Sequence, residues 1–203
     1  MTNLSTTVMA RAERMESQHA ARREQIVGAA KTVFVEKGLN GATMRAIAAG
    51  AGFTTGSIYP YFESKEDLYA AVLCASLTDL QAHVASHIAG LRDPACSGRR
   101  ALFGFFDYYR SRPDELSLGL YLYNGIGPSG LSADLNRDLN ERLRGVFDLI
   151  EQAFEDRGTP DADARTAAGV AHATGLLVME QTRRLKLFKR GAEELFNDYL
   201  DRL

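Results

Sequence analysis

The sequence contains little of what marks a secreted, membrane-spanning or disulfide-built protein. Its 203 residues include two cysteines, Cys74 and Cys96, which do not form a Cys-x-x-Cys pair. No apolar run approaches the roughly 20 residues that cross a bilayer, and the N-terminus lacks the apolar core of a secretory signal. We therefore expect a cytoplasmic protein without a membrane partner, in which both cysteines are packing or surface thiols.

Residue groupings typical of catalysis are also lacking. The sequence shows no nucleophile with a paired base, no paired carboxylates and no His-Glu-x-x-His motif. Residues 125–130 have Gly-x-Gly-x-x-Gly spacing, but no strand precedes them and Pro128 interrupts them, which argues against a dinucleotide site. His83 and His87 lie one helical turn apart without an evident third metal ligand. The sequence thus predicts neither an enzyme nor a bound cofactor or metal.

Charge is divided unevenly along a chain of ordinary globular composition. Apolar residues make up 45% of the chain and charged residues 25%, which is typical of a protein that folds without help. The formal net charge is -2, but residues 1–66 carry +2 and the remainder -4. This division suits a weakly basic nucleic-acid-binding head on an acidic body.

Apolar residues recur at helical intervals, and helix breakers separate the segments. Residues 21–38 predict a first helix that stops at a Lys-Gly pair. Thr43 is predicted to cap a second helix and Thr54 a third, short one, which Pro60 prevents from continuing far. Ser64, followed by acidic residues, is predicted to cap a long fourth helix.

Five further sets of breakers delimit about five more helices, and no segment alternates with period two. We therefore predict an all-α fold, in which a three-helix helix-turn-helix domain is joined by the long fourth helix to a helical C-terminal domain. The N-terminal arm is either disordered or a basic extension whose Arg11 and Arg14 touch DNA. The predicted boundaries are residues 1–19 for the arm, 20–66 for the DNA-binding domain and 67–203 for the ligand-binding and dimerisation domain.

The second and third predicted helices have the features of a helix-turn-helix. Small and apolar residues from Ile47 to Ile58 are spaced to pack the two helices together, and Gly52 permits the turn. Hydroxyl groups on the third helix bond phosphates or base edges, and flanking cations neutralise phosphates. Tyr61 and Phe62 have an alternative interpretation as core aromatics. The predicted DNA contacts are Thr43, Arg45, Thr54, Thr55, Gly56, Ser57, Tyr59, Tyr61 and Lys65.

Residues 43–68, TMRAIAAGAGFTTGSIYPYFESKEDL, preceded by RREQIVGAAKTVFVEKG, resemble the DNA-binding domain of the TetR family of bacterial regulators. The resemblance covers residues 20–66 directly. It implies that Gly56 lies close to the DNA backbone and that five side chains contact phosphates or bases. These five are Arg45, Thr55, Tyr59, Tyr61 and Lys65.

Three positions depart from the family pattern. Thr55 stands where many relatives have lysine, Pro60 where histidine is common, and Glu63 where a basic residue is frequent. These departures lower the local positive charge, so the operator sequence cannot be inferred.

Aromatic residues are concentrated in one stretch of the C-terminal part, with seven between positions 103 and 123. The corresponding helices of TetR-like proteins, with a later one over roughly residues 161–187, enclose a ligand cavity. Plain core is the favoured interpretation of any single ligand-site candidate named below. The resemblance implies a ligand site for a small-molecule effector formed by Phe105, Tyr109, Tyr121, Phe147, His172 and Met179.

Residues 167–175 are unusually small for a helix, and small residues let another helix approach closely. As in the TetR family, this helix and the final one, residues 192–203, are predicted to form half of a four-helix homodimer interface. The predicted interface residues are Ala168, Ala171, Gly175, Leu195 and Tyr199.

These features predict a ligand-responsive transcriptional repressor that leaves a palindromic double-stranded operator when a small molecule binds its C-terminal domain. A transcriptional activator and a ligand-independent regulator are the alternatives. A helical ligand-binding protein or enzyme with an incidental helix-turn-helix is a remote one.

Overall fold

The computed structural model describes residues 3–91, 96–121, 131–156 and 158–203. Within these ranges the chain is helical and has no strand, which confirms the predicted all-α class. The glycine-rich segment 125–130 lies outside the described residues. The α-helices are α1 (Asn3–Gly41), α2 (Met44–Ala51), α3 (Lys65–Ile88), α4 (Ser97–Ser111), α5 (Pro113–Tyr121), α6 (Ala133–Glu155), α7 (Ala162–Gln181) and α8 (Ala192–Leu200).

The chain divides into two compact units. The first unit comprises Met1–Leu73 with Tyr121–Leu135, and the second comprises Cys74–Leu120 with Asn136–Leu203. Helix α3 begins in the first unit and continues into the second.

Helix α1 begins well before the predicted first helix, because residues 3–19, which belong to the segment predicted as an arm or a frayed helix, are helical. The predicted stop is present: Gly38 has φ 65° and ψ 174°, a backbone conformation that glycine adopts at little cost. Helix α2 also has its predicted ends. The Thr43 hydroxyl accepts the Ala46 N–H at 3.2 Å, and Gly52 ends the helix with φ 74°.

The third helical segment is shorter than expected: a 3-10 helix, Thr55–Ser57, followed by turns. Thr54 does not cap it as predicted, because its hydroxyl pairs with the Ser57 hydroxyl at 2.6 Å. Pro60 has no N–H to extend an α-helical ladder, which accounts for the short segment. The long helix predicted as the fourth is therefore α3.

The predicted cap of α3 is present as a reciprocal pair. The Ser64 hydroxyl accepts the Asp67 N–H at 3.0 Å, and the Asp67 carboxylate accepts the Ser64 N–H at 3.1 Å. Each bond satisfies a backbone donor that lacks a helical partner at this end.

The first unit has a core that holds α1, α2 and the start of α3 together. Ile26, Ile47 and Ile58 are fully buried, and Phe34 meets Tyr69 edge-to-face at 4.8 Å. Phe62 is buried, as its interpretation as a core aromatic predicted.

The second unit has an aromatic core in which helices approach closely. Phe106 stacks on Phe196 with ring centroids 4.5 Å apart. A Cβ atom at Gly169 would lie 2.5 Å from Leu102, and one at Gly98 would lie 2.3 Å from the Phe154 ring. Glycine at these two positions is therefore required by the helix packing.

A buried hydroxyl group links α3, α4 and α5 in the second unit. Tyr108 donates to the Ser76 carbonyl at 2.9 Å and to the Glu115 carboxylate at 3.3 Å. Burial raises the pKa of Tyr108 to about 12, because the phenolate would lose its hydration.

Helix α7 ends at Gln181, six residues before the predicted end at 187. Arg183 adopts the left-handed conformation, φ 58°, which breaks the helical path, and a 3-10 helix, Arg184–Phe188, follows. This segment exposes two large apolar side chains, since Leu187 is 82% and Phe188 is 63% exposed.

Among the described residues, α3 alone is long and apolar enough to cross a membrane by length and composition, with a mean hydropathy of 1.2. A helix in the core of a globular protein has the same length and composition. Leu68 and Leu80 on α3 are fully buried within the protein, which accounts for its apolar character.

Candidate functional site

The predicted DNA contacts lie on α2, the 3-10 helix that touches it, and the turns leading to α3. Three of the nine are half-buried, namely Thr55, Tyr61 and Lys65. The other six are exposed: Thr43, Arg45, Thr54, Gly56, Ser57 and Tyr59.

The packing of the first unit does not account for a tyrosine at position 59 or a glycine at position 56. Tyr59 is 53% exposed, which is unusual for a large ring that would contribute to a core if it could. A Cβ atom at Gly56 would meet no protein atom within 4 Å, so the protein interior does not require glycine there. An aromatic hydroxyl beside bare backbone allows close contact with a phosphate or a base edge.

Two other predicted contacts are held by intramolecular partners. The Tyr61 ring stacks on His19 of α1 with centroids 4.4 Å apart. The Lys65 ammonium donates to the Leu39 carbonyl at 3.1 Å, near the end of α1. An ammonium has three donors, so Lys65 retains donors for a phosphate while it also braces α1 against the start of α3.

The second unit contains a cleft of about 290 Å³ between α6 and α7. Thr166 lies in its wall, 4% exposed, and its buried hydroxyl has no hydrogen-bond partner among the described residues. A buried hydroxyl without a partner costs about 1–3 kcal/mol, which a ligand that bonds to it would recover. The cleft is lined by Arg144, Phe147, Glu151, Asp163, Thr166, Ala167, Val170 and Ala171.

The arginine at this cleft is already paired with two carboxylates of its own helix, α6. Arg144 contacts the Asp148 carboxylate at 2.6 Å and the Glu151 carboxylate at 2.7 Å. These carboxylates raise the pKa of Arg144, because they favour its charged form. The cleft therefore combines an apolar wall with a rim that holds one cation, Arg144, and two carboxylates, Glu151 and Asp163.

The structure brings together only part of the predicted ligand set. Phe105 meets Tyr109 at 5.1 Å and Phe147 at 6.2 Å, and of these three only Phe147 reaches the cleft. Burial raises the pKa of Tyr109 far above its usual value. Met179 is half-buried against the core, and Tyr121 lies outside the residues whose side chains the structure describes.

His172 is not among the residues that line the cleft, although its chain neighbour Ala171 is. It is exposed on α7 and stacks on Tyr199 of α8 with centroids 4.5 Å apart. Partial burial lowers the pKa of His172, because the imidazolium loses hydration. Its neighbours are the residues predicted for a dimer interface: Ala168, Ala171 and Gly175 are exposed, and Leu195 and Tyr199 are half-buried.

Comparison with known proteins connects this geometry to a family. The model of the family described as "Bacterial regulatory proteins, tetR family" matches residues 26–72. The chain is 28% identical to the transcriptional regulator SrpR of Pseudomonas putida over 173 residues, 83% of this chain and 78% of SrpR. The structure superimposes on the regulator FadR of Bacillus subtilis, solved with stearoyl-CoA, with a TM-score of 0.69 and 19% identity, covering 88% of this chain and 95% of FadR. The family-model match identifies residues 26–72 as a TetR-family segment.

The local match is stronger around the segment that the TetR-family model matches. It is 44% identical to the transcriptional repressor KstR2 of Mycolicibacterium smegmatis over 57 residues. The matched segment spans 28% of this chain and 28% of KstR2. The likeness to KstR2 therefore concerns under a third of either protein.

Sequence reasoning missed two residues of the candidate sites. His19 lies in the segment predicted as an arm, so nothing indicated that it would stack on Tyr61. Thr166 is an ordinary helical threonine in the sequence, and only the packing of α6 on α7 shows that its hydroxyl is buried and unpaired. A polar residue among small ones on α7 was the one signal for Thr166.

Proposed function

We propose that this chain is a dimeric transcriptional repressor that binds a palindromic operator and leaves it when a small molecule binds the second unit. The observation that carries the proposal is the exposed group of Thr54, Gly56, Ser57 and Tyr59, whose side chains and bare backbone serve no packing purpose. Arg45 and Lys65 supply cations on either side of this group in the sequence.

The effector half of the proposal rests on the cleft between α6 and α7. Phe147 and Val170 offer apolar contact there, and the unpaired Thr166 hydroxyl offers one directed hydrogen bond. A small organic molecule with an apolar body and one polar group would make both the apolar contacts and this hydrogen bond. Because FadR was solved with stearoyl-CoA, acyl-CoA thioesters are a reasonable first panel.

The dimer half rests on the outer surface of α7 and α8. Ala168, Ala171 and Gly175 recur at three- and four-residue steps, which puts them on one side of α7, and all three are exposed. A Cβ atom at Gly175 would meet no atom within 4 Å, so no contact within one chain explains this glycine. A second copy packed on this surface by a two-fold axis would cover it.

Two recognition segments related by a two-fold axis read half-sites about one DNA turn apart, roughly 34–36 Å. Helix α3 begins in the unit that carries the DNA-binding segment and continues into the unit that carries the cleft. An effector shifts the equilibrium between the DNA-binding conformation and the released conformation only to the extent that it binds one of them more tightly. Changing the ratio of these conformations from 1:99 to 99:1 needs a difference in binding free energy of about 5.5 kcal/mol.

Selection of bound fragments from genomic DNA tests the proposal most directly. We expect the purified chain at low salt to retain duplexes that share an inverted repeat, and members of the effector panel to release them. A reporter gene behind the selected site distinguishes a repressor from an activator by the sign of the response. Failure to retain any duplex in the absence of small molecules would contradict the proposal.

Arg45→Ala is expected to weaken binding to all duplexes alike and to reduce the slope of log K against log salt concentration by about 2, one phosphate for each protomer. Arg45 is exposed on α2, so its loss leaves the fold intact. Fluorescence anisotropy across a salt series measures the slope. Arg142→Ala, an exposed arginine of α6, is the control and should keep the wild-type slope. An unchanged slope in Arg45→Ala would remove Arg45 from the phosphate contacts.

Ala168→Arg is expected to raise the dimer dissociation constant at least about tenfold, a cost of about 1.4 kcal/mol, because two guanidinium groups would meet near the two-fold axis. Sedimentation equilibrium measures this constant. Ala75→Arg, at an exposed alanine of α3, is the matched control. Equal dissociation constants for both variants would move the interface away from α7.

A further inference from the structure

Two histidines and a carboxylate converge in the second unit, outside the cleft. His83 and His87 lie one turn apart on α3, and Asp107 lies opposite on α4. One potential ligand atom from each residue lies within 4.8 Å of the others. The sequence presented the two histidines without a third ligand, and the packing of α4 on α3 supplies it.

The closest pair has a spacing typical of two ligands on one metal ion. His83 Nε2 and Asp107 Oδ2 are 3.0 Å apart. Metal–nitrogen and metal–oxygen bonds of about 2.0–2.2 Å put neighbouring ligand atoms roughly 3.0–3.5 Å apart, depending on the coordination geometry. An ion therefore fits this pair with little movement, and half-exposed His87 closes the remaining distance by side-chain rotation.

His87 is oriented for the same purpose by a backbone hydrogen bond. Its Nδ1 lies 3.0 Å from the His83 carbonyl oxygen. A carbonyl only accepts, so Nδ1 carries the proton and Nε2 keeps its lone pair. A metal-binding histidine commonly donates its other N–H to a carbonyl in this way.

The surroundings of the three residues make room for the His87 ring on one side and leave solvent on the other. A Cβ atom at Gly104 of α4 would lie 3.1 Å from His87, so glycine lets the ring approach the helix. Phe103 and Tyr108 lie near the two imidazoles, with ring centroids 6.1 Å from His87 and 5.6 Å from His83. The side chains of His83 and Asp107 are 25% and 37% exposed, which leaves coordination positions open to water.

We propose that His83, His87 and Asp107 bind one divalent transition-metal ion, such as Zn²⁺, which joins α3 to α4. Two imidazoles and one carboxylate suit Zn²⁺, Ni²⁺ or Co²⁺, whereas Mg²⁺ and Ca²⁺ prefer oxygen ligands throughout. This site uses none of the residues of the proposed DNA surface or effector cleft. A test of metal binding is therefore independent of a test of the proposed function.

The test is metal binding by the full chain after treatment with a chelator. Calorimetry with Zn²⁺ is expected to show one ion per chain with a dissociation constant in the micromolar range or below, and added Zn²⁺ should raise the melting temperature. Co²⁺ should give visible d–d absorption from a site with nitrogen ligands. Mg²⁺ should produce neither effect.

Asp107→Asn and His87→Ala are each expected to weaken Zn²⁺ binding at least about tenfold, whereas His172→Ala, which removes an exposed histidine of α7, should bind like the wild type. His87→Cys distinguishes metal coordination from a purely structural role of His87. If residue 87 coordinates the ion, the new thiolate adds a charge-transfer band to the absorption spectrum of the Co²⁺-loaded variant. The proposal is overturned if no saturable binding occurs below about 100 μM, if Asp107→Asn and His87→Ala bind like the wild type, or if the Cys variant lacks the new band.

Discussion

Tyr59→Ala is expected to lower operator affinity about 30-fold or more while leaving the free energy of unfolding nearly unchanged. A side chain that contacts a base edge or phosphate contributes roughly 1–3 kcal/mol, and a dimer loses two such contacts at once. A loss of about 2 kcal/mol corresponds to about 30-fold. Tyr59 is 53% exposed, so its truncation creates no cavity in the core.

Anisotropy with the selected operator at one fixed salt concentration measures this effect. Tyr59→Phe separates the hydroxyl group from the ring, and a loss shared by both variants assigns the contact to the hydroxyl. Leu120→Ala, an exposed apolar side chain of α5, controls for surface truncation and should bind like the wild type. Affinity within twofold of the wild type in Tyr59→Ala would remove the 3-10 segment from the DNA interface.

Gly98→Ala is expected to destabilise the second unit by about 3 kcal/mol, near the upper end of the usual range for overpacking. The added methyl group would lie 2.3 Å from the Phe154 ring, which is buried and rigid. The start of α4 and the end of α6 cannot separate easily to relieve the overlap, because the Ser97 hydroxyl donates to the Ala153 carbonyl at 2.6 Å. Gly98 lies in the first turn of α4, so little helix propensity is gained in return.

Urea denaturation measures the change, and a loss of about 3 kcal/mol lowers the melting temperature by roughly 6–12 °C for a chain of this size. Gly145→Ala is the matched control, because it lies inside α6 with no atom within 4 Å of the added carbon. Alanine there is expected to stabilise the chain by up to about 1 kcal/mol. Destabilisation of equal size in both variants would show that helix packing is not the cause.

The parts of this protein that could be predicted from sequence are those with local causes. Gly38, Gly52 and Ser64 set helix ends through backbone conformation and capping within a few residues. The predicted DNA contacts likewise fall within 23 consecutive positions, 43–65, so one continuous motif contains all of them. The chain length of that segment limits how far its side chains can lie from one another.

Even here, local reasoning overstated regular structure. Thr54 was expected to cap a third α-helix, but its hydroxyl pairs with Ser57 in a single 3-10 turn. Helical residues at 3–19 were not foreseen, because their side chains form no sustained apolar stripe from which a helix could be predicted.

By itself, then, the sequence determined the all-helical class, the helix ends and the segment that faces DNA in our proposal. Tertiary structure decided which distant residues meet: Asp107 lies 24 positions from His83, and the cleft around Thr166 needs α6 and α7 together. The reason is physical. Local hydrogen bonds and backbone sterics act within a turn or two, whereas the rotation and crossing of packed helices depend on side chains throughout the core.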